Sequence, residues 1–155
     1  MIQGIFETHI NVSDVEVSAR FYERLPGVTL LHQDTQRKSR FYWIGEPGTS
    51  MLGIRENYPS PLVQRQHFAF MTGVEQLYTA AAQLAELGIT AQNFHGDSVE
   101  QAGELIVFPF MPAVSIYFTD PDGHSLELIA MLPHTAQPEQ PLMTWDAWEA
   151  LQQQG

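Results

Sequence analysis

The chain has 155 residues, enough for one domain with a buried core, and its 44% hydrophobic and 16% charged content is that of a globular rather than a disordered protein. It has no cysteine, which excludes a disulfide framework, a thiolate metal site and a cysteine nucleophile. A net charge of -11, from 18 acidic against 7 basic residues, repels phosphate backbones and argues against a nucleic-acid partner; it suits a cationic ligand or a metal as well as plain solubility.

The first residues lack a basic segment followed by a long apolar run, so no signal peptide is expected, and no apolar run is long enough for a membrane span. A cytoplasmic protein fits these observations. Residues 4–12 alternate, with Phe6, Thr8, Ile10 and Val12 on one face and Glu7, His9 and Asn11 on the other, which predicts a strand. Ser13-Asp14 supplies a helix start, and the spacing of Val17, Phe21 and Leu25 predicts a helix over 15–25, ended by Pro26-Gly27. Strands are expected at 28–32, 40–44 and 51–55, the last two joined by a Glu46-Pro47-Gly48 turn.

The pattern then restarts. A strand is expected at 66–71, an Ala/Leu-rich helix over 74–87 ended by Gly88, and a strand at 89–93. A longer loop over 94–112 carries Gly96, Gly103, Pro109 and Pro112. Strands at 114–119 and 126–131 flank the turn Asp120-Pro121-Asp122-Gly123. After Pro133 the composition turns to Pro and Gln, and the chain closes on a short predicted helix with Thr144 as N-cap and Trp145, Trp148 and Leu151 on one face. That stripe is expected to pack on the body or on a second subunit.

The two halves form a faint internal repeat. Glu7-Thr8-His9-Ile10 aligns with His67-Phe68-Ala69-Phe70, Leu52-Gly53-Ile54 with Leu126-Glu127-Leu128, and Trp43 with Tyr117, if the second copy carries an insertion of about 14 residues in the 94–112 loop. Each copy reads strand, helix, strand, strand, strand. Glu7, Gly53, His67 and Glu127 thereby become equivalent positions, and a four-stranded sheet with one helix leaves one face bare. The expectation is an α+β protein with two βαβββ modules forming a cup-shaped mixed sheet with helices outside. Module one covers about 4–58 and module two about 64–132, within a single domain at 1–133, followed by a tail at 134–155 with the short helix.

The segments ETHINVSDVEVSARFY (7–22), QHFAFM (66–71) and YFTDPDGHSLEL (117–128) resemble the vicinal oxygen chelate superfamily, which includes glyoxalases, bleomycin-resistance proteins, fosfomycin-resistance enzymes and extradiol dioxygenases. The resemblance covers about 4–132 and implies the glyoxalase-like fold. It also implies metal ligands on the first and last strand of each module. Carried over by position, His67 and Glu127 match two of these, and imidazole nitrogen with carboxylate oxygen suits Zn, Ni, Mn, Co or Fe.

The first module departs from the pattern. Glu7 stands at the usual ligand position, with His9 two residues on and on the same strand face. Either could bind the metal, and His9 could instead act as acid, base or substrate contact; the repeat ranks Glu7 ahead. Gly53 offers no side-chain ligand, and Glu56 falls on the opposite strand face, so three protein ligands and open positions are expected. His67 could equally be a satisfied strand histidine, Glu127 a surface glutamate, and Tyr117 and Phe41 core aromatics. His124 is expected to be exposed in its turn, and His32, His95 and His134 have no ligand-like spacing.

The resemblance implies a metal-dependent protein of the lyase or isomerase type. Such a protein binds a small substrate through vicinal oxygens, with Glu127 and His9 as candidate catalytic groups. An Fe(II) ring-cleaving dioxygenase and a non-enzymatic binder of the bleomycin-resistance type are the alternatives. A homodimer is expected by the same resemblance, with no nucleic acid and no membrane as partners.

Overall fold

The computed structural model describes residues 1–153, and the chain divides into two compact units. The first holds residues 1–66 with 120–124, the second residues 67–119 with 125–155. The class is α+β, with one sheet and one strand-crossing helix in each unit.

In the first unit β1 (Glu7–Val12), α1 (Val15–Tyr22), β2 (Val28–Asp34), β3 (Ser39–Ile44) and β4 (Met51–Glu56) follow in order. The sheet order is β1-β4-β3-β2, with β1 parallel to β4 and the other pairs antiparallel. Asp14 caps α1, its carboxylate accepting from the Glu16 and Val17 amides at 2.8 and 3.0 Å. The helix then buries Val15, Ser18, Ala19 and Tyr22, a run at helical spacing that packs on β3 and β4. The expected stripe of Val17, Phe21 and Leu25 is not that face, since Val17 is exposed. α1 also ends sooner than Leu25. Its last residues turn through tighter bonds, Arg24 N–H to Phe21 O and Leu25 N–H to Tyr22 O.

Ile10, Val12, Tyr42, Leu52 and Ile54 form the helix-covered side of this sheet and are all buried. Arg40 clasps Glu16 and Glu23, each at 2.6 Å. Glu56 points to the same side, where it accepts from the Val15 amide at 3.0 Å and from Lys38 at 2.7 Å. The Lys38 bond, then the amide, hold its carboxyl below the usual range. Its exclusion from the helix-free face by strand parity therefore stands.

The Asp120–Gly123 turn carries a dense polar knot. Asp120 is buried and accepts from Tyr22 OH at 2.9 Å, from the His124 amide at 2.8 Å and from the Asp122 amide at 3.0 Å. Burial and the facing Asp120 charge push the Tyr22 phenol far up, so it stays a donor. His124 is not exposed, as the turn position suggested, but fully buried. Its Nδ1 accepts from the Gln66 amide at 3.0 Å, so its Nε2–H donates to the Asn11 carbonyl, also at 3.0 Å. A turn histidine is buried here because both ring nitrogens replace water with backbone partners.

In the second unit β5 (His67–Met71), α2 (Val74–Glu86), β6 (Ile106–Phe108), β7 (Ala113–Thr119), β8 (Ser125–Met131), β9 (Met143–Thr144) and α3 (Trp145–Gln152) follow. The sheet order is β5-β8-β7-β6-β9, and β5 is parallel to β8. Leu77, Ala80 and Leu84 of α2 pack with Val114, Ile116, Phe118, Leu126 and Ala130 in the core.

Two expectations change here. Residues 89–93 do not form a strand; Gln92 alone makes a bridge to Tyr117, by two bonds of 2.8 Å. The strand beside β7 is β6, inside the region read as loop, and it pairs with Ala113–Ser115. The insertion thus divides one β7 edge between two separate stretches of chain. The tail adds β9 to β6 and then α3, capped by Thr144. Trp145 and Trp148 are buried in the second unit, Trp145 stacked on Tyr78 at 4.7 Å and Trp148 donating its indole N–H to His134 Nδ1 at 3.0 Å.

The buried Tyr22–Asp120 bond yields a stability prediction. Tyr22→Phe keeps the ring and removes one of three donors to a buried carboxylate, so urea unfolding at neutral pH should show a loss of about 1–2 kcal/mol. An unchanged midpoint would mean that the bond contributes nothing net.

Candidate functional site

On the second sheet, alternation along the strands sends His67, Ser115, Tyr117, Ser125 and Glu127 to the side opposite the α2-covered core. Pairing register then fixes their neighbours. His67 lies opposite Ser125, and Glu127 lies between Ala69 on one side and Tyr117 on the other. Glu127 is only 5% exposed, which is costly for a carboxylate unless its oxygens are engaged. They are: Oε1 accepts from both Ser115 Oγ and Tyr117 OH, the latter at 3.0 Å, while Oε2 faces His67 Nε2 at 3.2 Å. Burial first, then the Glu127 charge and the bond to it, hold the Tyr117 phenol well above its ordinary range, so it remains a proton donor at neutral pH.

His67 is oriented from behind. Its Nδ1 lies 3.1 Å from the Ser125 carbonyl oxygen and 3.2 Å from Ser125 Oγ. A carbonyl can only accept, so Nδ1 carries a proton and donates it. Nε2 is left facing a carboxylate oxygen at 3.2 Å, and a cation between the two would engage both. Backbone support of one ring nitrogen is how proteins orient a metal-binding imidazole. Two donors 3.2 Å apart also match neighbouring positions around one divalent ion with bonds of about 2.1 Å. The pair fits a metal. Tyr117 stacks on the His67 ring, centroids 6.0 Å apart at 26°, and lies 6.2 Å from Phe94.

The first sheet carries a parallel arrangement. Glu7 and His9 share its helix-free face, with Glu7 Oε1 3.6 Å from His9 Nε2. His9 lies opposite Gly53, and a Cβ on Gly53 would come within 2.9 Å of His9 Nδ1. The glycine is therefore the space that the imidazole occupies. Phe41 lies opposite Gly53 from the other side and meets the His9 ring edge-on at 5.7 Å and the His32 ring stacked at 6.1 Å.

The ladders support most of the repeat. Glu7 opposite Met51 corresponds to His67 opposite Ser125, and Gly53 to Glu127. The partner of Tyr117 differs from the one expected. Phe41, not Trp43, lies across from Gly53 as Tyr117 lies across from Glu127, because the β3–β4 connection is longer than the β7–β8 turn. In each module the same aromatic position touches the module's own histidine.

Among the described residues, no three His, Asp or Glu side chains form one metal-holding group. Two such donors converge in each unit: His67 with Glu127, and Glu7 with His9. Ser115 and Ser125 were absent from the sequence expectation. Counting outward from the Asp-Pro-Asp-Gly turn places Tyr117 opposite Glu127, and Ser115 then falls on the same face by alternation. His32 stacks on Phe41, His95 meets Phe94 edge-on, and His134 serves Trp148, so none joins either pair.

The sequence model of the Glyoxalase/Bleomycin resistance protein/Dioxygenase superfamily matches residues 4–128. The chain belongs to this superfamily. Its members typically use divalent metals, bind small molecules and commonly form dimers. An integron cassette protein from the mobile metagenome of a Halifax Harbour sewage outfall is similar in structure, with a TM-score of 0.69 and 27% identity over 84% of this chain and 100% of that one. A lactoylglutathione lyase from Agrobacterium tumefaciens aligns with a TM-score of 0.62 and 19% identity over 83% of this chain and 94% of that one. A fosfomycin resistance protein from Listeria monocytogenes aligns with a TM-score of 0.60 and 22% identity over 86% and 97%. The last two share the fold. Among the described residues, no helix is long and apolar enough to cross a membrane.

The packing of His9 on Gly53 is directly testable. Gly53→Ala should displace the imidazole and shift the His9 ring resonances in NMR spectra while leaving those of His67 in place. Unshifted His9 signals would show that the ring does not rest on the glycine.

Proposed function

We propose that this protein is a metal-dependent, glyoxalase-like enzyme of the lyase or isomerase type, binding a small substrate through two vicinal oxygens on a divalent ion held by His67 and Glu127. The supporting observation is the 3.2 Å approach of His67 Nε2 to Glu127 Oε2, with Nδ1 and Oε1 each already engaged on protein groups. The free atoms of both side chains face each other, and the occupied ones hold them there. One nitrogen and one oxygen donor, with no sulfur, suit Zn, Ni, Mn, Co or Fe. Such an ion supplies Lewis acidity for negative charge developing on a substrate oxygen.

In this reading Glu7 is the metal-ligand candidate of the first module, half exposed and 3.6 Å from His9 Nε2. His9 is the acid–base group, its ring positioned by Gly53 and Phe41. The exposed Met71 and Met131 leave apolar surface on the face that carries His67 and Glu127, which suits either substrate or a second subunit. A homodimer, common in the superfamily, would cover this surface.

Elemental analysis of protein purified without a chelating tag is the decisive measurement. Near-stoichiometric Ni, Zn, Co or Mn is expected. His67→Ala and Glu127→Ala should each weaken the metal by more than about 10-fold, the loss already typical when only a ligand's supporting partner is removed. Stoichiometric iron would turn the reading towards ring cleavage. A protein that takes up no metal under any condition would be a binding protein of the bleomycin-resistance kind.

A further inference from the structure

We propose that Ser115 and Tyr117 are positioning residues that hold Glu127 to one-oxygen coordination, withholding Oε1 so that two neighbouring positions on the metal stay open for substrate. This rests on His67 and Glu127 as the metal pair and goes beyond it, because neither hydroxyl is itself a ligand in that reading.

The geometry is asymmetric across the carboxylate. Both hydroxyl donors converge on Oε1, and Oε2 has neither. A free carboxylate can offer both oxygens to one ion, as bidentate Glu ligands do. An oxygen that already accepts two hydroxyl hydrogens has lost most of its lone-pair capacity for a metal. The two donors come from one strand, two residues apart, so β7 presents them as a rigid pair. Register places Tyr117 directly across from Glu127, and the Tyr117 ring also stacks on His67. One phenol therefore fixes the rotamer of both candidate ligands, through its hydroxyl for Glu127 and its face for His67. Ser115 is fully buried, and its hydroxyl bonds Glu127 Oε1 and also meets the Tyr117 phenol, so its role is not one that solvent could replace.

Bidentate binding of a substrate's two oxygens needs two adjacent vacant positions. If Glu127 closed onto the ion with both oxygens, one of those would be filled by protein. The hydroxyl pair prevents this, and its removal should be visible in the metal's coordination rather than only in turnover.

The test uses the full chain loaded with Co(II), whose visible absorption strengthens as coordination number falls. Wild type, Tyr117→Phe, Ser115→Ala, the double variant and Ser115→Thr are compared, together with Co(II) affinity and apo-protein melting temperature. The expected result is a weaker visible band in the double variant, intermediate bands in the single variants, a shift in affinity of about 10-fold, and a wild-type spectrum in Ser115→Thr. A purely structural role would lower the melting temperature and leave the cobalt spectrum unchanged, and that outcome overturns the proposal while leaving the metal pair intact. If the wild type binds no Co(II) at all, the metal reading fails, and this one with it.

Discussion

The burial of the Glu127 carboxylate is the constraint around which the second unit is organised. Placing that group on a largely buried strand is unfavourable by several kcal/mol unless each oxygen is compensated. The sheet supplies the compensation from three strands at once: Ser115 and Tyr117 from β7, His67 from β5, and, behind His67, Ser125 from β8 itself. None of these contacts survives a one-residue slip in strand register, because each depends on alternation placing its side chain on the same face. The Asp120–Gly123 turn that sets the β7–β8 register is therefore as important to the site as any residue in it.

That turn is stabilised by the other buried carboxylate. Asp120 gathers two backbone amides and the Tyr22 hydroxyl, while His124 replaces water with the Gln66 amide and the Asn11 carbonyl. The two sequence segments that carry the family resemblance, the helix containing Tyr22 and the turn containing Asp120, are thus joined by one hydrogen bond. Their joint specificity as a motif has a physical origin in that contact.

The two modules spend the same architecture differently. Where the second holds a glutamate engaged by neighbours, the first has Gly53, and the vacated volume is taken by His9. The aromatic across the ladder, Phe41 in one and Tyr117 in the other, meets the local histidine in both. Only Tyr117 carries a hydroxyl, and only its module has a carboxylate in position to accept it. On the helix-free faces, these few side chains are where the two copies part.

The sequence by itself determined the order of elements in the first module, the first strand and helix and the last two long strands of the second, the alternation of faces along them, the capping of α1 and α3, and the equivalence of Glu7 with His67 and of Gly53 with Glu127. These follow from periodicity and local chemistry, which act over a few residues and leave a mark in the chain. Tertiary structure decided the rest. Only the folded register brings Phe41 rather than Trp43 into the place of Tyr117, since connection length, not local pattern, sets which residues face across a hairpin. Only the packed turn buries His124. Only strand pairing reveals β6 within what reads as a loop, because its short apolar run gains its partner from β7 far along the chain. Ser115 gains its role in the same way: a serine in an apolar strand carries no local signal, and becomes part of the site when a carboxylate from the neighbouring strand is buried beside it.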